Sequence, residues 1–448
     1  FLFPSPPFPF MKYAPIDSRL FIENRRRLAA ELPKGSVAIL HSADIPWRCA
    51  DGSTRFIQNS DLFYLTGVDQ EESMLILWPD APDPALRERL FVKETSELIA
   101  IWEGQKLTKE SAAAVSGIEN VQWNDAFEPA VRRTVPQTKR LFLNHNEHAR
   151  STSTAWTPDD RFREKIQTLH PHLHCERLAP LLTRLRMEKS EIEIALLQHA
   201  CHLTRDGFDR VLKFIRPGVK EYEIEAEYLH EFVRQGSRGF AYEPIVASGV
   251  NNCVLHYLDN DQECRDGELI LMDVGAEYAN YNADLTRTVP VNGKFTERQR
   301  AVYDAVHRVF RACIDDLIKP GVKIREAYHK QVARLVEDEL IALDLLDAAE
   351  VAEERQNEDL PEEKRRYRKW FMHGVSHSLG IDVHDVTAPE AEFIENMVVT
   401  VEPGIYLREE GFGIRLENDI VVRADGNVDL MADIPVEADE IEALMAGG

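Results

Sequence analysis

The sequence predicts an α+β protein, in which an N-terminal α/β domain is followed by a larger α+β domain made of two similar halves. Short apolar strands alternate with polar or helical segments over residues 18–180, which is typical of an α/β domain. Further along the chain, a helix start of one kind occurs twice, and PGVK follows the helix each time. A length of 448 residues, with 44% hydrophobic and 29% charged residues, allows two or three domains with sizeable cores.

The N-terminal domain is predicted to span residues 11–180. The first ten residues, FLFPSPPFPF, are broken by prolines and carry no basic region, so they do not resemble a signal peptide. Met11 looks like the natural start, and residues 1–10 are interpreted as an upstream extension. The apolar segments SVAILHSA, MLILWP, ELIAIW and RLFLNH are predicted to be strands.

The second domain is predicted to span residues 181–448 and to contain an internal duplication. Ser190 and Glu193 form a capping-box pattern at the start of one helix, and Thr296 with Gln299 repeats it. PGVK occurs at residues 217–220 and 320–323. Pro-Gly helix stops are common, so this match could be a coincidence, but the matching helices on both sides favour a duplication. Strands with carboxylates follow each copy, which suggests a pseudo-twofold domain with its site between the halves.

Composition excludes several classes of partner. The net charge of −24 argues against nucleic acid or an anionic membrane as the main partner, because both require a basic face. The six cysteines are scattered and form no CxxC pair, which disfavours a disulfide framework or a thiolate zinc site and favours a reducing compartment. No apolar run reaches the ~18–20 residues that span a bilayer. We therefore expect a cytoplasmic protein. The segment 349–370 is highly charged, so it is expected to be a solvated helix or loop.

Two aspartates of the first half are expected to lie together. Asp273 lies in LILMDVG, a run that should be buried on both sides, and a buried carboxylate is costly unless it is paired or binds a metal. Asp284 opens the predicted strand DLTRTV, and a hairpin would bring the two side by side. Like charges so close repel unless a proton or a cation lies between them.

The second half repeats this arrangement with glutamates. Glu402 ends the strand VVTVE, and Glu417 lies in GIRLEND between Arg415 and Asp419 on the same face. A surface ion pair between Glu417 and Arg415 is the plain alternative. Four carboxylates in two matching hairpins, with a histidine cluster between them, instead favour a hard, oxygen-rich site. Such a site suits two divalent ions, with Mn²⁺ as the first choice and Mg²⁺, Co²⁺ or Zn²⁺ as alternatives.

That histidine cluster lies in HGVSHSLGIDVHD, residues 373–385, and contains His373, His377 and His384. His256 begins the sheet segment that leads to Asp273. The alternating histidines in LHPHLHC, residues 169–175, have no carboxylate cluster beside them and are interpreted as ordinary polar residues.

These motifs carry a family resemblance. HGVSHSLGIDVHD, DVGAEYANYNADLTRT, TVEPGIYL and GIRLEND together resemble the aminopeptidase P and prolidase group of pita-bread metallopeptidases. RFIQNSDLFYLTG, residues 55–67, and IWEG around Trp102 resemble the N-terminal domain of aminopeptidase P. The resemblance covers nearly the whole chain and implies the pita-bread fold for the second domain. The serine before the second histidine in HGVSH is closer to aminopeptidase P than to prolidase.

The resemblance also implies residue roles. It implies metal ligands at Asp273, Asp284, His377, Glu402 and Glu417, with Asp284 and Glu417 bridging two ions. It implies catalytic roles at the substrate side for His256, His373, His384, Glu402 and Arg415, and substrate-binding roles for Tyr406, Trp102 and Asp51. Asp51 matches an acidic residue that acts across a subunit contact. Dimers or tetramers are usual in the family, so a homodimer or homotetramer is expected.

The implied reaction is hydrolysis of the bond between an N-terminal residue and a following proline. That bond is a tertiary amide with no N–H to grip, so catalysis must act on the carbonyl and on the leaving nitrogen, as two metal ions can. A prolidase acting only on Xaa-Pro dipeptides is the nearest alternative. A metal-free amidinohydrolase and a non-catalytic binding module on the same fold are disfavoured, because all five ligand positions are filled.

Overall fold

The computed structural model describes residues 13–148, 150–151, 154–357 and 359–447, so the predicted extension at residues 1–10 lies outside the described chain. The chain divides into two compact units, one ending at Arg186 and the other beginning at Met187. The division falls in the last turn of the helix Ala179–Met187, which continues through the predicted boundary at residue 180.

The first unit is built on a mixed six-stranded sheet. Its strands are β1 (Ser36–His41), β2 (Trp47–Cys49), β3 (Gly52–Ser53), β4 (Met74–Leu77), β5 (Glu88–Val92), β6 (Val121–Trp123), β7 (Arg140–Leu143) and β8 (His174–Arg177). Its helices are α1 (Arg19–Glu31), α2 (Ser60–Thr66), α3 (Glu97–Glu103), α4 (Lys109–Ser116), α5 (Phe127–Thr134), α6 (Pro158–Leu169) and α7 (Ala179–Met187). The sheet order is β6-β5-β4-β1-β7-β8, and β4 runs antiparallel to both of its neighbours. Strands β2 and β3 form a separate hairpin.

One predicted strand of this unit is a helix instead. ELIAIW, residues 97–102, lies in α3, where the side chain of Ser96 accepts a hydrogen bond from the Ile99 N–H. Leu98, Ile101 and Trp102 are 66%, 77% and 82% exposed. The prediction was wrong because the apolar run has no neighbouring strand to pair with, and the serine cap then decides the local structure.

The second unit contains the two similar halves. Its helices are α8 (Glu191–Leu212), α9 (Glu221–Arg234), α10 (Glu297–Ala312), α11 (His329–Ala342), α12 (Ala348–Gln356) and α13 (Ala438–Ala446). Its strands are β9 (Gly239–Phe240), β10 (Ile245–Ser248), β11 (Leu269–Val274), β12 (Ala276–Tyr278), β13 (Tyr281–Asn282), β14 (Leu285–Pro290), β15 (Val398–Val401), β16 (Gly404–Leu407), β17 (Phe412–Arg415), β18 (Asn418–Val421) and β19 (Val428–Asp429). Both predicted capping boxes are present, at the starts of α8 and α10.

Both PGVK segments make the same turn. Gly218 and Gly321 adopt φ values of 94° and 83°, a region that favours glycine. The Gly218 N–H donates to the Cys264 carbonyl at 2.9 Å, and the Gly321 N–H donates to the Phe393 carbonyl at 2.8 Å. The N–H groups of those two acceptor residues donate back to the residue after each glycine, at 2.9 and 3.0 Å. This shared hydrogen-bond pattern confirms the predicted pseudo-twofold α+β architecture.

Antiparallel sheets carry the acidic side chains. In the first half β11 lies between β10 and β14, with Asp273 opposite Thr286, and in the second half β18 lies between β15 and β19. Glu402 directly follows β15. Asp284 precedes β14 rather than opening it, and Glu417 lies between β17 and β18. A single bridge between Thr286 and Glu417 joins the two halves at this point.

The charged segment 349–370 contains most of α12 and two short 3₁₀ turns, and most of its residues are exposed or half-buried. Val351 and Tyr367 are the buried exceptions among its described residues. None of the helices in the described ranges combines the length and apolar character needed to cross a membrane.

Candidate metal centre

The carboxylates of the first half meet at one tyrosine. Asp273 is held near the end of β11 by its pairing with β14. The Tyr242 hydroxyl lies 2.6 Å from Asp273 Oδ1 and 2.6 Å from Asp284 Oδ1. On its other side, Asp273 Oδ2 accepts a hydrogen bond from Arg415 Nη2 at 2.5 Å. The predicted pair of aspartates is therefore brought together in a partly buried setting.

The second half brings Glu417 to the same place. The Glu417 N–H donates to the Thr286 carbonyl at 3.0 Å, and the Thr286 hydroxyl donates to Glu417 Oε2 at 2.6 Å. Asp284, His377 and Glu417 each offer one ligand atom, and these atoms lie within 4.8 Å of one another. One chain segment from each half thus supplies a carboxylate to a common cluster.

The ring of His377 points one nitrogen at this cluster. Its Nδ1 lies 3.0 Å from the Ser378 carbonyl, so Nδ1 carries the proton that makes this hydrogen bond. Nε2 faces Asp284 Oδ2 at 3.4 Å and Glu402 Oε1 at 3.8 Å. A backbone acceptor on the far nitrogen is the usual way in which a protein orients a histidine toward a metal ion.

Burial controls the protonation of these groups. It raises the pKa of Asp273, raises the pKa of Glu417 well above its usual range, and raises the pKa of Glu402 to about 7. Burial alone would lower the pKa of His377, but its hydrogen bond with Asp284 and the charge of Glu402 outweigh that effect and raise it to about 9. Without cations, the cluster is therefore a site that takes up protons.

The donor set fits divalent cations. Four carboxylates converge here, and the fully buried Asp419 lies beside them, while Arg415 and His377 supply the neighbouring positive charge. A buried excess of negative charge requires protons or cations for neutralisation. Carboxylate oxygens with a single imidazole are suitable ligands for Mg²⁺, Mn²⁺, Co²⁺ or Zn²⁺.

His373, Tyr406 and Arg415 form a chain of hydrogen bonds at one side of the cluster. His373 Nδ1 lies 2.6 Å from the Gly374 carbonyl and therefore donates to it. His373 Nε2 then accepts from the Tyr406 hydroxyl at 2.8 Å, and that hydroxyl oxygen accepts from Arg415 Nη1 at 2.8 Å. Burial and the charge of Arg415 lower the pKa of His373 to about 3, which keeps its ring neutral.

The other two predicted histidines are His384 and His256. The ring centroid of His384 is 3.9 Å from that of His377. His256 is exposed.

Comparison with known proteins identifies the family. Residues 195–424 match the model of Metallopeptidase family M24, and residues 21–142 match that of the Aminopeptidase P, N-terminal domain. The chain belongs to the M24 metallopeptidases. It is 34% identical to the Xaa-Pro aminopeptidase of Escherichia coli over 96% of this chain and 98% of that protein.

Solved M24 structures share the fold. The proline aminopeptidase P II from Yersinia pestis matches with a TM-score of 0.82 and 34% identity, covering 96% of this chain and 100% of that one. The zinc-substituted Escherichia coli aminopeptidase P in complex with product matches with a TM-score of 0.84 and 32% identity, covering 97% and 99%. These matches confirm the family and the pita-bread fold expected from the motifs. They also support divalent metal binding as a property of this M24 chain.

Two predicted site residues of this M24 chain lie in the first unit. Trp102 is 82% exposed on α3, and Asp51 is exposed in the turn between β2 and β3. Their substrate-binding roles stay predictions.

Sequence reasoning missed two side chains that hold the candidate ligands. Tyr242 and Thr286 donate hydrogen bonds to the acidic cluster, yet nothing in their sequence context distinguishes them from other tyrosines and threonines. Arg415 had a plain alternative as the ion-pair partner of Glu417. Its guanidinium instead bonds Asp273, Tyr406 and the Thr286 hydroxyl.

The charged segment 349–370 also reaches the site. Arg368 Nη1 donates to the His373 carbonyl at 3.2 Å, and the Trp370 carbonyl accepts from the Tyr406 N–H at 2.9 Å. Its last residues therefore contact the backbone of two predicted site residues, although most of the segment is exposed.

Proposed function

We propose that this chain is a metal-dependent aminopeptidase that hydrolyses the bond between an N-terminal residue and a following proline. The observation that carries the proposal is the convergence of Asp273, Asp284, His377, Glu402 and Glu417 from both halves of the second unit. The Xaa-Pro aminopeptidase of Escherichia coli, which matches along almost its whole length, supports the same activity and favours it over that of a prolidase.

We propose that these five residues hold two divalent ions, with Mn²⁺ as the first choice. Tyr242 and Arg415 would fix Asp273, Thr286 would fix Glu417, and the Ser378 carbonyl would fix His377. Such ions, when bound, polarise a carbonyl, lower the pKa of water and orient a substrate amine. The chain's own residues then have three tasks, which are proton transfer, support of the oxyanion and positioning of the substrate.

Glu402 is the proposed proton carrier. Its carboxylate lies between His373 Nδ1, at 3.6 Å, and His377 Nε2, at 3.8 Å. Burial raises its pKa to about 7 in the ion-free site. Its place between the two rings suits a group that accepts a proton from water and then releases it. The proline nitrogen must gain a proton before it leaves, and Glu402 can return the one it accepted.

His384 and His256 are the proposed donors to the developing oxyanion, an effect commonly worth ~2.7–4 kcal/mol for each donor. His373 uses both ring nitrogens within the protein, on the Gly374 carbonyl and on Tyr406. Its proposed contribution is to hold Tyr406, and through it Arg415, beside the substrate.

The assembly and location of the chain are also proposals. A homodimer or homotetramer is consistent with the exposed Trp47, Ile101 and Trp102 of the first unit, at 76%, 77% and 82%. All six cysteines are free thiols, which supports a reducing, cytoplasmic location.

The deciding experiment combines metal removal with a choice of substrates. The purified protein is stripped with a chelator and reloaded with Mn²⁺, Co²⁺ or Zn²⁺, and an Xaa-Pro-Yaa tripeptide is assayed beside an Xaa-Pro dipeptide. We expect ~2 metal ions per chain and metal-dependent cleavage of the tripeptide. Asp284→Ala should abolish both, whereas Asp425→Ala, at an exposed position, should change neither. Cleavage of the dipeptide alone would indicate a prolidase, and an active protein without metal would refute the proposal.

A further inference from the structure

Asp284 depends on a side chain from the other half of the second unit. The pairing of β11 with β14 ends at Val274 and Leu285, one residue short of Asp284. The Asp284 N–H instead donates to Asp419 Oδ2 at 3.0 Å. Asp284 Oδ2 lies 3.4 Å from His377 Nε2, nearer than the Glu402 oxygen at 3.8 Å, so the acceptor of the Asp284 N–H helps to place the carboxylate nearer to this ring.

Asp419 is a buried carboxylate whose hydrogen bonding is incomplete among the described residues. It lies on β18, opposite Thr400 on β15, and is fully buried. Oδ2 also accepts a hydrogen bond from the Cys201 thiol on α8 at 3.4 Å. Within the part of the chain that the structure describes, Oδ1 has no hydrogen-bond partner. A buried carboxylate with one unsatisfied oxygen destabilises the fold, so a functional role is needed to explain why it is there.

The same short segment also supplies a ligand. Glu417 lies two residues before Asp419, and the Arg287 guanidinium donates to the Glu417 carbonyl at 2.8 Å. In the segment 417–419, the Glu417 side chain therefore faces the cluster, and the Asp419 side chain holds the backbone of Asp284. A shift at Asp419 would change the spacing between the two carboxylates that belong to different halves.

We propose that Asp419 is a positioning residue, whose hydrogen bond to the Asp284 N–H fixes the spacing of Asp284 and Glu417 on which metal binding depends. This inference rests on the proposed function, because it takes Asp284 and Glu417 to be ligands. Residues that orient metal ligands commonly change metal affinity by about 10- to 100-fold when removed.

The test measures Mn²⁺ affinity by competition with a chromophoric chelator, using the full chain. Asp419→Ala removes the acceptor and should weaken Mn²⁺ binding by about tenfold or more. Asp419→Asn keeps an acceptor oxygen for the Asp284 N–H, with its NH₂ group in place of the unpartnered Oδ1, and should stay within about threefold of the wild type. Asp429→Ala is the matched control, because Asp429 lies on the adjacent strand β19 and bonds Asn418 rather than a ligand.

Thermal unfolding in EDTA separates metal affinity from folding. If Asp419→Ala does not fold, Asp419→Val replaces it, since valine suits a strand and also lacks an acceptor. Wild-type affinity in the folded Ala or Val variant would overturn the inference. Equal losses in Asp419→Asn and Asp419→Ala would also overturn it, because the charge rather than the hydrogen bond would then matter. A wild-type protein that binds no Mn²⁺ would refute the proposed function itself, which is a different outcome.

Discussion

Removal of a single hydroxyl group, in Tyr242→Phe, should weaken metal binding strongly. The hydroxyl lies 2.6 Å from one oxygen of Asp273 and 2.6 Å from one oxygen of Asp284. It carries one proton, so it donates to one carboxylate at a time and keeps the two oxygens at a common point. Phenylalanine retains the ring and its packing but removes this link.

The size of the effect follows from the type of bond. A hydrogen bond to a charged group contributes ~1.5–3 kcal/mol. Since each 1.4 kcal/mol is a factor of ten, the affinity for Mn²⁺ should fall by about 10- to 150-fold. The activity at limiting Mn²⁺ should fall in parallel and recover in part when the metal is in excess.

The assay is a competition titration of Mn²⁺ at fixed pH, together with kcat and KM for an Xaa-Pro-Yaa tripeptide. Tyr257→Phe is the matched control. Its hydroxyl also bonds a buried carboxylate, Glu221 Oε2 at 2.9 Å, but that carboxylate is not among the candidate ligands. If Tyr242→Phe binds Mn²⁺ within about threefold of the wild type, as the control should, then the two aspartates are not held for metal binding by this hydroxyl.

Three other changes test the site. His384→Ala should lower kcat by about 10²–10³ with normal metal content, if this ring supports the oxyanion, and loss of metal would instead make it a ligand. Metal affinity should fall as the pH is lowered, because the metal-free site holds protons that cations must displace. The pKa of His377 is raised to about 9, so below that pH the need to displace this one proton should make the metal affinity fall about tenfold per pH unit. A metal affinity that does not change between pH 6 and 8 would contradict this expectation. Gly275→Ala would place a Cβ 1.7 Å from the Ala283 carbonyl oxygen, next to Asp284. The substitution should destabilise the fold by ~1–3 kcal/mol and weaken Mn²⁺ binding. Unchanged thermal unfolding would contradict the close approach.

Hydrogen bonds and ion pairs across the site could not be read from the chain. Arg415 is two residues from Glu417, which makes their ion pair the simplest local prediction. In the folded chain its guanidinium bonds Asp273, 142 positions away. Such a partner is set by the bridge between the two halves, and sequence neighbours carry no information about it. The helix in place of the predicted strand ELIAIW has the same origin, because an apolar run becomes a strand only where another strand can pair with it.

The sequence by itself determined the family, the two-half layout and the set of acidic and histidine residues. These follow from local chemistry. A capping box marks a helix start, Pro-Gly marks a helix end, and a carboxylate in an apolar strand needs a partner, whatever the rest of the fold is. Only the tertiary structure decided which atoms face one another. Tyr242 is shared by Asp273 and Asp284, His377 is turned by the Ser378 carbonyl, and Asp419 holds Asp284 across the halves. Most of these contacts join residues that are far apart in the chain, and one sets the orientation of a ring. Both the distant contacts and the ring orientation depend on how the whole unit packs.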